Sequence, residues 1–110
     1  MISEEEVKPR PSRALVAGGS GAIGGAVCLR LAQAGADVAL TYMSKPEAAR
    51  KVADRVRSLE RTCLVFEVDL ADETAVVEVA DRAARELGGL DTAISAIGLL
   101  PPQKWTSQID

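Results

Sequence analysis

A doubly wound, parallel α/β sheet is the fold class this sequence predicts, and three observations predict it. Four short apolar runs alternate with three stretches of helical periodicity along 110 residues. Hydrophobic residues make up 47% of the chain and aromatics only 3%, so the core must be Ala, Val, Leu and Ile. That suits a buried parallel sheet better than an aromatic-rich sandwich. The first apolar run is joined to the first helix by a glycine-rich turn, Gly18-Gly19-Ser20-Gly21. Parallel strands need crossovers, and crossovers are right-handed, so the expected spatial order is 3-2-1-4. The first two helices should cover one face of the sheet and the third helix the other.

Residues 1–12 hold Glu4, Glu5, Glu6, Pro9 and Pro11 and read as a flexible arm, without the apolar h-region of a signal peptide. A strand over 13–17 opens a single domain spanning 13–98. The helix after the glycine turn is expected over 22–34, with Ile23, Val27, Leu31 and Ala34 on one face and Gly35 as its terminator. Residues 37–42, DVALTY, read as the second strand. Ser44 and Glu47, three apart, form a capping-box signature, and Pro46 suits a first helical turn. The helix they open carries Ala49, Val52, Val56 and Leu59 at helical spacing. Residues 63–68 read as the third strand. Asp72 is placed to cap a third helix with Val76, Val79 or Ala80, Ala83 and Leu87 inward, which Gly88-Gly89 end. Residues 91–96 read as the fourth strand, and 99–110 as a tail holding Pro101, Pro102 and Trp105.

The charge balance, 13 basic against 16 acidic residues, gives −3 and a pI near 5.0. This argues against nucleic acid or a membrane surface as a partner. No apolar stretch reaches the length of a membrane span. Cys28 and Cys63 stand far apart without a C-x-x-C pair and read as reduced core thiols, in keeping with a cytoplasmic location. The chain has no histidine, which removes His-based triads and most zinc sites, so no metal is expected.

The chemistry is concentrated in the glycine turn. A strand, a glycine-rich turn and a helix start together bind phosphate through backbone N–H groups, helped by the positive end of the helix dipole. Gly19-x-Gly21-x-x-Gly24 satisfies G-x-G-x-x-G, and the same glycines fit a wider spacing from Gly18. A tight turn with no ligand is the plainer alternative; the strand before it and the helix after it favour the ligand. Neighbouring motifs fail. A P-loop needs Lys and Ser or Thr where Gly25-Ala26 stand. Gly18-x-Ser20-x-Ala22 is one residue short of a nucleophile elbow, and Ser20 has no histidine to act as base. The turn opens at the switch point between strands 1 and 4, where doubly wound sheets bind ligands.

Four segments, in order, resemble the N-terminal half of the short-chain dehydrogenase/reductase family. VAGGSGAIG is similar to its T-G-x-x-x-G-x-G turn, and GADVALTY to its second strand. VDLAD is similar to the acidic pair after its third strand, and GGLDTAISAIG to its G-x-I-D-x-L-V-N-N-A-G segment. The resemblance covers about residues 12–100 and implies a Rossmann-type sheet, incomplete relative to the family. It implies that Gly18, Ser20, Gly21, Ile23 and Gly24 belong to a pyrophosphate turn. It also implies that Asp69 accepts from the adenine amino group with the Leu70 backbone alongside, and that Ala96, Ile97 and Gly98 run beside the adenosine ribose. The chain departs from the pattern at Ala17 for Thr, at Ala22 for the middle Gly, and at Ser95-Ala96 for two Asn that tie the family's central strands together. The family's catalytic Asn, Ser, Tyr and Lys lie farther along than Asp110. Tyr42 and Lys45 are three apart rather than four, on the ribose side, so no catalytic residue is assigned.

Enzymes that bind NAD place a carboxylate past strand 2, where this chain has Met43-Ser44-Lys45; Asp37 comes too early. NADP(H) is therefore expected in preference to NAD(H), held at its 2′-phosphate by Ser44 and Lys45; the alternative for Lys45 is a solvated first-turn residue. The expected function is the NAD(P)-binding portion of an oxidoreductase. When completed, it would move hydride between NADP(H) and a carbonyl or alcohol substrate. Two alternatives are a non-catalytic dinucleotide-binding or regulatory protein and an S-adenosylmethionine methyltransferase fragment. The latter wants acidic residues where Leu15-Val16-Ala17 and Thr41-Tyr42 stand. Strand 4, with Ile94 and Ile97, would be an edge that further strands cover in the family. Self-association, or a partner over strand 4, is expected.

Overall fold

The computed structural model describes residues 12–96. Most of the expected arm, the tail, Ile97 and Gly98 lie outside the described residues. The elements run β1 (Arg13–Ala17), α1 (Ala22–Gln33), β2 (Asp37–Tyr42), α2 (Pro46–Ser58), β3 (Cys63–Glu67), α3 (Glu73–Leu87) and β4 (Thr92–Ser95). All strand pairings are parallel, in the order β3-β2-β1-β4. Val16 lies beside Leu40 of β2 and Ile94 of β4, and Leu40 beside Val65 of β3. β2 is buried at four consecutive positions, Val38 to Thr41, because it has strands on both sides and helices over both faces.

Each face of the sheet has its own core. On one, Val16, Val38, Leu40 and Cys63 pack with Cys28 and Ala32 of α1 and with Ala49, Ala53 and Val56 of α2. On the other, Ala39 and Phe66 meet Ala83 of α3, with Leu15, Leu64, Val79, Leu87 and Leu90 packed around them. The Arg82 guanidinium stands 5.4 Å from the Phe66 ring centroid, a cation–π contact that shields the ring at the β3 edge. Two helices on one face and one on the other is the distribution the connectivity predicts.

Three local expectations need correction. The buried face of α1 is Gly24, Gly25, Cys28 and Ala32, while Ile23 is 67% exposed. Closeness decides this. A Cβ at Gly24 would collide with the Gly18 carbonyl, and one at Gly25 would lie 3.1 Å from Val52 Cγ2. The helix therefore approaches through its smallest residues, leaving Val27 and Leu31 partly buried at the margin of the core and Ile23 and Ala34 exposed. The second correction concerns α2, whose N-cap is Lys45 with no side-chain cap, so Ser44 and Glu47 form no capping box. Pro46 at N1 drives the residue before it out of the helical region, which moves the cap one residue past Ser44. Third, Leu59 is the C-cap of α2 and 40% exposed, and Ala53 takes the buried place.

The caps of α3 follow the sequence. Asp72 accepts from the Ala75 N–H at 3.1 Å, and Gly88 ends the helix in the left-handed region at φ 82°. At the amino end of the sheet, the Asp91 carboxylate accepts from Ser12 N–H and Oγ, Arg13 N–H and Thr92 Oγ1. These bonds hold its carboxyl down at about 2 and clasp β1 to β4.

Candidate functional site

The carboxyl ends of the strands open on a cleft of about 340 Å³. β1 delivers the glycine turn to it. Gly18, at φ 78°, starts the turn, and its N–H donates to Thr41 Oγ1 at 2.9 Å. Thr41 is 2% exposed and is the buried polar side chain among the described residues. It fastens the turn to the end of β2. Sequence reasoning missed this; the available signal was a threonine near the end of the otherwise apolar run of DVALTY. Beneath the turn, a Cβ at Gly19 would lie 2.6 Å from Leu40 Cβ, so the chain lies flat on the sheet. α1 then begins with no side-chain cap and no acidic residue in its first turn. Its first N–H groups and dipole are left for an anion, which the absence of any Cβ at Gly18 and Gly21 allows close.

β2 delivers Tyr42, Met43, Ser44 and Lys45 to the same cleft, and β3 delivers Val68, Asp69 and Leu70. Ala96, just past β4, completes the lining, its N–H bonded to the Ala17 carbonyl at 2.8 Å. Asp69 is exposed; its Oδ1 accepts from Ala71 N–H at 3.0 Å and its carbonyl from Asp72 N–H at 2.9 Å. One carboxylate oxygen thus builds the turn into α3, and Oδ2 has no partner among the described residues.

The structure brings Gly18, Ser20, Gly21, Ser44, Lys45, Asp69, Leu70 and Ala96 around one opening. It does not bring the side chain of Ile23 there; that side chain lies on the outer face of α1 with Ala26, Val27 and Leu31. Gly24 is buried under the turn, where its missing side chain lets α1 seat against Gly18.

A family model described as short chain dehydrogenase matches residues 12–110. The chain belongs to the short-chain dehydrogenase family. Versicolorin reductase of Emericella nidulans is 36% identical over 100 residues, 91% of this chain and 38% of that protein. A short-chain dehydrogenase of Burkholderia cenocepacia, solved with NADP, is 44% identical with a TM-score of 0.74, over 77% of this chain and 36% of that one. NAD⁺-bound xylitol dehydrogenase is 33% identical with a TM-score of 0.72, over 78% of this chain and 33% of that one. This short-chain dehydrogenase chain spans about a third of the length of the relatives it matches.

Among the described residues of this short-chain dehydrogenase chain, no group of three His, Cys, Asp or Glu could hold a metal, and no helix is long and apolar enough to cross a membrane. Both cysteines are free and buried. Burial pushes the Cys28 thiol up to about 12 and the Cys63 thiol to about 11, so neither is a nucleophile near neutral pH. Cys28 is structural: its Sγ faces the Gly19 carbonyl at 4.0 Å from below the turn.

Proposed function

We propose that the cleft binds a nicotinamide dinucleotide, with NADP(H) preferred to NAD(H). The observation that carries this is the composition of the opening. An uncapped helix N-terminus behind a glycine turn shares it with Ser44 and Lys45, and the exit of β2 supplies no carboxylate. The NADP- and NAD⁺-bound relatives support the class of cofactor. For the choice between the two, the support is local: a serine and an ammonium suit a 2′-phosphate, whereas NAD sites hold the free hydroxyl with a carboxylate.

In this reading the turn of Gly18, Ser20 and Gly21, with the backbone of Ile23 and Gly24 at the helix start, holds the pyrophosphate. Asp69 Oδ2 accepts from the adenine amino group, with Leu70 beside the ring. Ala96, and by sequence Ile97 and Gly98, flank the ribose. The bound nicotinamide supplies or accepts hydride. This chain's residues bind and orient; none of those lining the cleft is assigned as proton donor, and the exchange between a carbonyl and an alcohol belongs to an enzyme of the relatives' full length. A cytoplasmic setting fits two reduced, buried thiols. The same reading gives β4 a cover. Its outer edge carries no further strand among the described residues and Ile23 of α1 is exposed, which supports a second copy, or a partner, over β4.

A charge-assisted hydrogen bond from Lys45 contributes about 1.5–3 kcal/mol, about ten- to a hundredfold in affinity. Titration by nucleotide fluorescence is expected to show NADPH binding at least about tenfold tighter than NADH. Tighter NADH would overturn the preference, and binding of S-adenosylmethionine instead would overturn the cofactor class.

A further inference from the structure

We infer that Lys51 of α2 is a further determinant of specificity, a second ammonium that reaches the 2′-phosphate site; this rests on the cleft being a dinucleotide site. Two recesses flank the cleft. A groove of about 420 Å³ between α1 and α2 shares Ser20 and Gly21 with it. A recess of about 490 Å³ at the start of α2 shares Ser44 and Lys45 with it. Lys51 lines both, and it is the charged residue they have in common. It therefore stands where the glycine turn and the exit of β2 come together, outside the cleft proper.

Helix geometry explains the placement. Side chains on an α-helix lean toward its N-terminus, so the stem of Lys51 runs back over the turn before it. Ala48 occupies that turn and lines both recesses, leaving the path open. Glu47 is the carboxylate of the second recess and lies four residues before Lys51, a spacing at which such groups pair. They do not pair here: the ion pairs among the described residues are Asp54–Arg57 and Arg82–Glu86. Lys45, Lys51 and the uncapped starts of α1 and α2 outweigh one carboxylate. A phosphate monoester uses that excess, and a ribose hydroxyl does not.

The test is calorimetric titration of the 110-residue chain with NADPH, NADH and 2′,5′-ADP, with thermal melts as a check on folding. Lys51→Met is expected to weaken NADPH and 2′,5′-ADP about tenfold and to leave NADH unchanged, while Lys51→Arg keeps most of the affinity. Arg55→Met, altering a cation that lines the groove but not the recess, is expected to leave all three near wild type. Unchanged NADPH binding in Lys51→Met would overturn the inference. So would an equal loss in Arg55→Met, which would indicate a diffuse field, or a parallel loss of NADH, which would indicate a structural role. A wild-type chain that binds neither dinucleotide overturns the underlying reading itself.

Discussion

At position 24 a Cβ would need the space of the Gly18 carbonyl and would stand 2.8 Å from the Gly19 Cα, so α1 can seat only on a hydrogen. Gly24→Val is expected to lose about 1–3 kcal/mol of stability and to abolish NADPH binding, by urea melt and titration. Gly21 is a useful contrast, because a Cβ there meets only the Gly18 carbonyl at 3.8 Å. Gly21→Ala should fold normally, and any loss of binding then reports the ligand. The two cysteines make a second prediction. With thiols raised to about 12 and about 11, neither should react with a disulfide reagent in the native chain, and both should react in urea. Their raised values leave stability intact below pH 9 and remove it as pH climbs toward 12, because the unfolded thiols ionise first. A double Cys→Ser variant, followed by alkaline melts, should lose that slope. Native labelling would show that the core under the turn is open.

Among the elements, the clasp between β1 and β4 has its own pH window. The folded Asp91 carboxyl is lowered from 3.8 to about 2, chiefly by its bonds from Ser12, so its contribution is complete above pH 4 and fades as pH falls toward 2. Asp91→Asn should flatten that part of the acid titration of stability; an unchanged curve would mean that the bonds to Ser12 are not kept in solution. The strands, their order and the caps of α3 were legible because each has a strong local cause: an apolar run, a glycine, an Asp before an acidic first turn. The orientation of α1 was not. Its pattern offers Ile23, Val27 and Leu31 as a face, and only contact with the turn reveals that Gly24 and Gly25 must go inward. The α2 cap was hidden by competition between Ser44 and Pro46, which the proline wins. Motif and topology were enough to bring Gly18, Ser20, Gly21, Ser44, Lys45, Asp69, Leu70 and Ala96 to one opening, whereas Thr41 meets the turn only through the sheet, 23 residues away in sequence.

For the molecule as a whole, the sheet ends differently on its two sides. At β3 the Arg57 guanidinium donates to the Cys63 carbonyl at 2.8 Å and Arg82 covers Phe66, whereas the outer side of β4 carries no further strand among the described residues. The 110-residue chain is expected to self-associate in light scattering and to melt at low denaturant, and to show no ketone-dependent NADPH oxidation, since its single tyrosine, Tyr42, is not followed by a lysine four residues on. A monodisperse, cooperatively melting monomer would contradict the first expectation, and turnover above background the second. The division of the core between two faces also sets an order of assembly during synthesis. Every fully buried residue of the α1–α2 side has been made once β3 is complete, but Leu15, Leu64 and Phe66 wait for α3 to arrive. At about 5–20 residues per second that wait lasts about one to four seconds. For that interval the nascent chain is a sheet dressed on one side only, and a holdase that recognises small aliphatic surfaces would find its binding site there.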